Sequence, residues 1–267
     1  MRRGILGIVG SQIASIAWPR IAAKPIAVHP TRPRFRARAV GQRITAVDRL
    51  GKRVVVRLTS GDAIIFEPRM TGLVLVTDAP TTAHLRFRMD LNGPVPSVWY
   101  WDQRGLGNVR LLTPAEQEAQ LGAARLGPDA LATTPAVLHE VFKHSRRPVK
   151  VALLDQQRVA GIGNLYASEI LHLAGIHPEK RCDLLKIAHW ERIHAALLEV
   201  LQLAIRYEGS TLSDGTYRNA LNKSGGYQNE HRVYAKAGKT CPRCQKGTIE
   251  RIVQTQRSTF FCRRCQK

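Results

Sequence analysis

The chain ends in CPRCQKGTIERIVQTQRSTFFCRRCQK, and no other stretch limits its fold so sharply. Cys241 and Cys244 form one C-x-x-C turn, Cys262 and Cys265 another, with seventeen residues between the pairs. Each turn offers two thiolates on one side, and a hairpin between them brings all four around a tetrahedral Zn²⁺. Alternating apolar residues in TIERIVQ and STFFC suit the two strands of that hairpin. One structural Zn²⁺ is therefore expected, redox pairs or two disulfides being the other chemistries open to such turns. The fifth cysteine, Cys182, stands alone and reads as a buried, inert thiol. An odd cysteine count fits a reducing cytoplasm better than an oxidising compartment.

Charge points to the partner. Forty-one Lys and Arg against twenty Asp and Glu give a formal charge of +21, a field that attracts polyanions, nucleic acid before anionic lipid. The bias reaches the ribbon, where nine Lys or Arg between Lys236 and Lys267 face one acid, Glu250. The chain, 267 residues with 44% hydrophobic and 23% charged, has ordinary globular composition and length for two or three domains. No run approaches the roughly 20 apolar residues of a membrane span. The opening MRRGILGIVGSQIASIAW only imitates an export signal, because Gly4, Gly7, Gly10, Ser11 and Gln12 interrupt its apolar run.

In the middle, LLDQQRVAGIGNLYASEILHLAGIHP predicts a helix ending near Gln157, a tight glycine turn, and a second helix capped by Asn164 and closed by Gly175 and Pro178. Gly161 and Gly163 allow close backbone approach, and amides at a helix start bind phosphate; an ordinary helical hairpin explains the pattern equally well. A long helix follows, with Trp190, Ile193, Leu197, Leu201 and Ala204 on one stripe. That stripe is core, and His189 and His194 on its flank carry no assigned role.

Together with VYAKAGKTCPRC and QRSTFFCRRCQK, this central stretch resembles the formamidopyrimidine-DNA glycosylase and endonuclease VIII family, specifically from about residue 148 onward and more loosely before it. The resemblance implies an α+β multidomain fold: an N-terminal β-sandwich over residues 1–115, a helix–two-turn–helix domain over 128–235 after the linker-like LTPAEQEAQLGAARLGPDALATTP, and a zinc finger over 236–267. It implies a monomeric base excision repair enzyme, cytoplasmic and nucleoid-associated, that removes oxidised purines from duplex DNA and cuts the abasic site by β/δ-elimination. Such chemistry requires the nucleotide to be flipped out and the hole filled.

The same resemblance assigns residues. Lys52, in DRLGKR, matches a lysine on the lesion-side phosphate with a proton-donor role in elimination; Arg257 matches the zinc-finger arginine, aimed at phosphate and the elimination chemistry. Met70, in RMTG, matches the wedge that fills the vacated stack, and Arg104, in WDQRGLG, the arginine facing the orphaned base. Asn164 matches the family's phosphate-holding asparagine, with Arg146 and Lys150 on the basic run before it. His84 matches a DNA-contacting histidine at shifted spacing, and Tyr217 and Arg218 lie in SDGTYRNALNKSGGYQ, the loop that covers the flipped base.

Three departures stand out. DQRGLG places Leu106 where the family has a phenylalanine wedge, and Glu67 stands near the place of a usual histidine. Family members open Met-Pro-Glu-Leu-Pro-Glu-Val, and the proline amine is the nucleophile that attacks C1′, with the glutamate handling protons. Neither residue is in this sequence, whose opening resembles the family immediately downstream of that segment. The expectation is that Met1 is an internal methionine; the alternative is a relative that binds damaged DNA without catalysis.

Overall fold

The structure, a computed structural model, describes residues 1–22, 24–212 and 215–267. The chain divides into two compact units: residues 1–122 with 207–228, and residues 123–206 with 229–267.

The first unit is built on two sheets. Strands β1 (Gln12–Ala17), β6 (Gly72–Leu75), β7 (Leu85–Asn92) and β8 (Ser97–Asp102) form one in the order β1-β7-β8-β6. Strands β2 (Ala27–His29), β3 (Ile44–Leu50), β4 (Arg53–Leu58), β5 (Ala63–Glu67) and β9 (Asn108–Leu112) form the other, in the order β2-β9-β5-β4-β3. All pairings are antiparallel except β2 with β9. Apolar alternation explains the sandwich: Ile64 and Phe66 of β5 join Phe87 and Met89 of β7 and Val98 and Tyr100 of β8 in one buried cluster. Ala63 and Ile65, on the opposite face of β5, are sealed with Leu121 into a second cluster, so β5 is buried along its whole length. Each such Ile or Phe contributes about 1.5–3 kcal/mol of burial.

Leu121 belongs to α2 (Pro114–Leu121), inside the segment expected to be a linker. The helix forms because Thr113 and Glu116 make a reciprocal capping box with Pro114 at the first turn. A second short helix, α1 (Arg32–Ala39), sets Phe35 in the main core. Residues 207–228 pack with these sheets: Ala220 is in the main core, its carbonyl accepts from the Val76 amide at 3.0 Å, and Asn222 Nδ2 donates to the Asp78 carbonyl.

The second unit is helical with a β-hairpin. It contains α3 (Pro135–Phe142), α4 (Val149–Leu153), α5 (Asn164–Ala174) and α6 (Ile187–Arg206), then β10 (Glu250–Gln254) paired with β11 (Arg257–Phe261). The stripe expected on the long helix is buried, and Trp190 stacks on Phe142 with ring centroids 5.2 Å apart. The helix expected to end near Gln157 instead stops at Leu153, and Gly163 rather than Asn164 occupies the cap of α5. Asn164 is the first helical residue because its side chain is committed elsewhere, as described below. Gly175, at φ +69°, closes α5 in the left-handed conformation expected of it. Among the described residues no helix is long and apolar enough to cross a membrane.

Candidate nucleic-acid interface and metal centre

In the first unit a cavity of about 270 Å³ opens beside the β3–β4 turn. Its lining includes Arg49, Lys52, Arg53, Arg69, Met70 and Tyr217. Lys52 is exposed at that turn, and Met70 projects 71% exposed from the β5–β6 connection. A cationic hollow beside an unburied methionine suits a polyanion and an apolar wedge.

The wedge is held by a buried scaffold. Asp102, fully buried, accepts from the Thr71 hydroxyl at 2.6 Å and the Gly107 amide at 2.8 Å, fastening the loop after β8 to the loop bearing Met70. Arg104 donates its backbone N–H to the Thr71 hydroxyl, and its Nη1 lies 3.2 Å from the Met70 sulfur. Leu106 is 48% exposed on the same loop. Gly72 and Gly107 allow this convergence, since a Cβ at either would meet the Tyr100 hydroxyl, at 2.6 and 1.8 Å.

Sequence reasoning missed what stands behind these loops. Glu67 is buried and bonds three guanidinium groups, from Arg53, Arg69 and Arg110, each at 3.0 Å. Burial pushes its carboxyl up, but the three arginines outweigh that and hold it below the usual range. Arg69 follows Glu67 by two residues, but no spacing rule finds Arg53 and Arg110, because sheet pairing alone brings β4, β5 and β9 together.

Tyr217 lines the cavity, donates its hydroxyl to the Glu208 carbonyl at 2.9 Å, and has its pKa pushed up to about 12 by burial. Arg218 donates to the Asn222 carbonyl. Two residues of that expected covering loop, Ser213 and Asp214, lie outside the described residues. His84 packs edge-on against Trp101, 5.4 Å between ring centroids, and does not line the cavity.

In the second unit the start of α5 is tied to the hairpin. Lys150 is fully buried and donates its Nζ to Asn164 Oδ1 at 2.5 Å, while Asn164 Nδ2 donates to the Ser258 carbonyl at 3.0 Å. Arg257 is exposed beside Ser258. Burial, with Arg257 adding to it, lowers the Lys150 pKa to about 8. Arg146 is exposed ahead of α4. The structure therefore brings together Lys150, Asn164 and Arg257, three of the expected phosphate contacts. The β10–β11 turn is Thr255–Gln256, both at positive φ (45° and 60°). This is the geometry of a two-residue hairpin that normally takes Asn-Gly, and a β-branched residue there is strained.

The four expected ligands converge. Sγ atoms of Cys241, Cys244, Cys262 and Cys265 all lie within 4.8 Å of one another, with pairs at 3.7 and 3.8 Å. A tetrahedron with Zn–S bonds of about 2.3 Å has edges of about 3.8 Å, so the donor set fits one structural Zn²⁺. The Gly247 amide donates to Cys244 Sγ at 3.3 Å. Backbone N–H groups, that of Lys246 first, lower the Cys244 thiol to about 6, favouring the ligating thiolate. Cys182 is fully buried and its pKa is raised to about 12 by burial, as an inert thiol should be.

A β-sandwich unit with a cationic hollow and a helical unit with a four-cysteine ribbon suit a zinc-ribbon protein that handles nucleic acid. The formamidopyrimidine-DNA glycosylase N-terminal domain matches residues 1–109, the formamidopyrimidine-DNA glycosylase H2TH domain 126–216, and the zinc finger found in FPG and IleRS 238–267. The formamidopyrimidine-DNA glycosylase of Chloroflexus aggregans is 41% identical over 97% of this chain and 90% of its own length; that of Latilactobacillus sakei is 34% identical over 100% and 95%. The Lactococcus lactis Fpg solved with abasic-site DNA superposes with a TM-score of 0.87, at 30% identity over 100% of this chain and 96% of that one. MutM (Fpg) of Thermus thermophilus gives 0.83, at 32% identity over 97% and 92%. The chain belongs to the formamidopyrimidine-DNA glycosylase family.

Proposed function

We propose that this protein is a base excision repair glycosylase and abasic-site lyase acting on oxidised purines in duplex DNA, as a monomer in the bacterial cytoplasm among nucleoid DNA. The observation that carries this reading is the pairing of an exposed Met70 with Arg104 on a buried Asp102–Thr71 scaffold, at the rim of a hollow lined by cations. An exposed apolar side chain so firmly based has no folding role, and it suits entry into a base stack.

In this reading Met70 fills the gap left by the flipped nucleotide and Arg104 faces the widowed base. Lys52 holds the lesion-side phosphate and hands a proton on during elimination. Asn164 and Arg146 hold backbone phosphates, Lys150 sets the Asn164 amide from behind and lends its charge, and Arg257 adds its own charge to theirs and to the elimination chemistry. Tyr217 and Arg218 cover the extruded base, and His84 touches the flanking DNA. Leu106 stands on the same loop as Arg104, where it fills less space than a phenylalanine would.

The test uses protein purified from its native host. A duplex with one 8-oxoguanine should be nicked at the lesion, and borohydride should trap a covalent adduct with an abasic duplex. Tight lesion binding without nicking or adduct would instead favour a non-catalytic binder of damaged DNA.

A further inference from the structure

We propose that His172 is a hydrogen-bond donor to the zinc centre, its Nε2–H resting on Sγ of Cys241 and governing how firmly that thiolate holds the metal. The inference rests on the four cysteines binding Zn²⁺, and it concerns a residue outside the ligand set.

His172 lies in the last turn of α5 and is fully buried. Its Nε2 is 3.3 Å from Cys241 Sγ, inside the range for a hydrogen bond to sulfur. A metal-bound thiolate has no proton to give, so the contact is attractive only with the hydrogen on nitrogen. A neutral imidazole has one such hydrogen, and the other nitrogen, Nδ1, is buried with no hydrogen-bond partner among the described residues. That is the pattern expected when the single N–H is given to sulfur; the opposite tautomer would bury an unsatisfied N–H and set two lone pairs against each other.

Arg232 and Arg243 line a cavity of about 220 Å³ with His172. Arg243 Nη1 also donates to the His172 carbonyl at 3.0 Å, so ring and backbone of one residue are both tied to the first C-x-x-C turn. Four thiolates around Zn²⁺ carry excess negative charge, and every N–H directed at a sulfur spreads it and lowers that sulfur's reactivity. Zinc retention is thereby tied to α5, the helix that begins with Asn164.

The experiment follows zinc transfer from the full-length zinc-loaded protein to a chromogenic chelator, with alkylation of Cys241 followed by mass spectrometry. His172→Phe keeps the ring volume and removes the donor; zinc should leave on the order of tenfold faster and Cys241 should alkylate sooner. His172→Gln, which restores an N–H, should recover much of the difference. Equal rates for wild type and H172F, or no recovery in H172Q, would reduce His172 to a packing residue and overturn the proposal. A third measurement needs no variant: in cadmium-113-substituted wild-type protein, the His172 Nε2 proton should couple to the metal through sulfur. A ring protonated at Nδ1 would refute the assignment even if H172F failed to fold.

Discussion

Lys150 shows how one buried cation gives a protein a pH profile. Its ammonium rests on Asn164 Oδ1 at 2.5 Å, and burial, with Arg257 adding, brings its pKa from 10.5 to about 8. Between those values the unfolded chain keeps a proton that the folded one has lost, so stability rises with pH across that window. Phosphate affinity runs the other way, because the buried cation that orders Asn164 and lends it positive charge is present below about 8 and lost above it. The dissociation constant for lesion duplex should therefore rise several-fold between about pH 7 and pH 9.5 at fixed ionic strength, and Lys150→Met should flatten the rise. Fluorescence anisotropy would show it, and an unaltered profile in K150M would assign the titration elsewhere. Met70 offers the opposite case. At 71% exposed it contributes little to folding, so Met70→Ala should leave the melting temperature nearly unchanged, within about 0.5 kcal/mol. Lesion-duplex affinity should fall on the order of tenfold, because an unfilled stack costs a few kcal/mol. Met70 could be singled out from RMTG through its family likeness, whereas the contacts of Glu67 with Arg53 and Arg110 could not, since they depend on strand register.

At the level of elements, the zinc ribbon was the most legible, because ligand spacing and strand alternation state the same hairpin twice. The long helix α6 was nearly as plain from its apolar stripe. By contrast, α2 went unrecognised although T-P-A-E carries its capping box, since eight residues rich in Ala, Gln and Glu resemble a linker when Leu121 is not known to be covered. The capping of α5 was misplaced because local preference put Asn164 at the cap, while tertiary bonds to Lys150 and Ser258 claimed its side chain. Two predictions belong here. Cys244→Ser should release zinc and abolish DNA binding while the first unit still melts cooperatively in calorimetry, since metal binding supplies the ribbon's folding energy; retained binding would argue against the ribbon as a clamp. Replacing Thr255–Gln256 by Asn-Gly should relieve positive-φ strain and stabilise the hairpin by about 1 kcal/mol, seen as slower amide exchange in β10 and β11. If Arg257 depends on the strained turn for its aim, the same change should slow lesion cleavage.

For the whole molecule, a formal charge of +21 makes salt the controlling variable. Affinity for undamaged duplex should fall linearly on a log–log plot against salt, by about 0.9 for each phosphate neutralised, and Arg257→Ala should reduce that slope by about one. A flat salt response would deny phosphate the leading part. Composition disclosed the polyanion, because charge is written in residue counts, whereas the α+β plan came through the family resemblance of the central and C-terminal motifs. Where the chain re-enters its first unit was not so written. Residues 207–228 belong with the sheets although they follow α6, and Ala220 enters their core while its carbonyl takes the Val76 amide. During synthesis the sandwich therefore waits unfinished on the ribosome until residue 228 has emerged, long after its last strand. The nascent protein cannot complete its first unit before most of its second has been made, and a gene fragment ending at Gly122 should yield an aggregation-prone sheet rather than a separable domain.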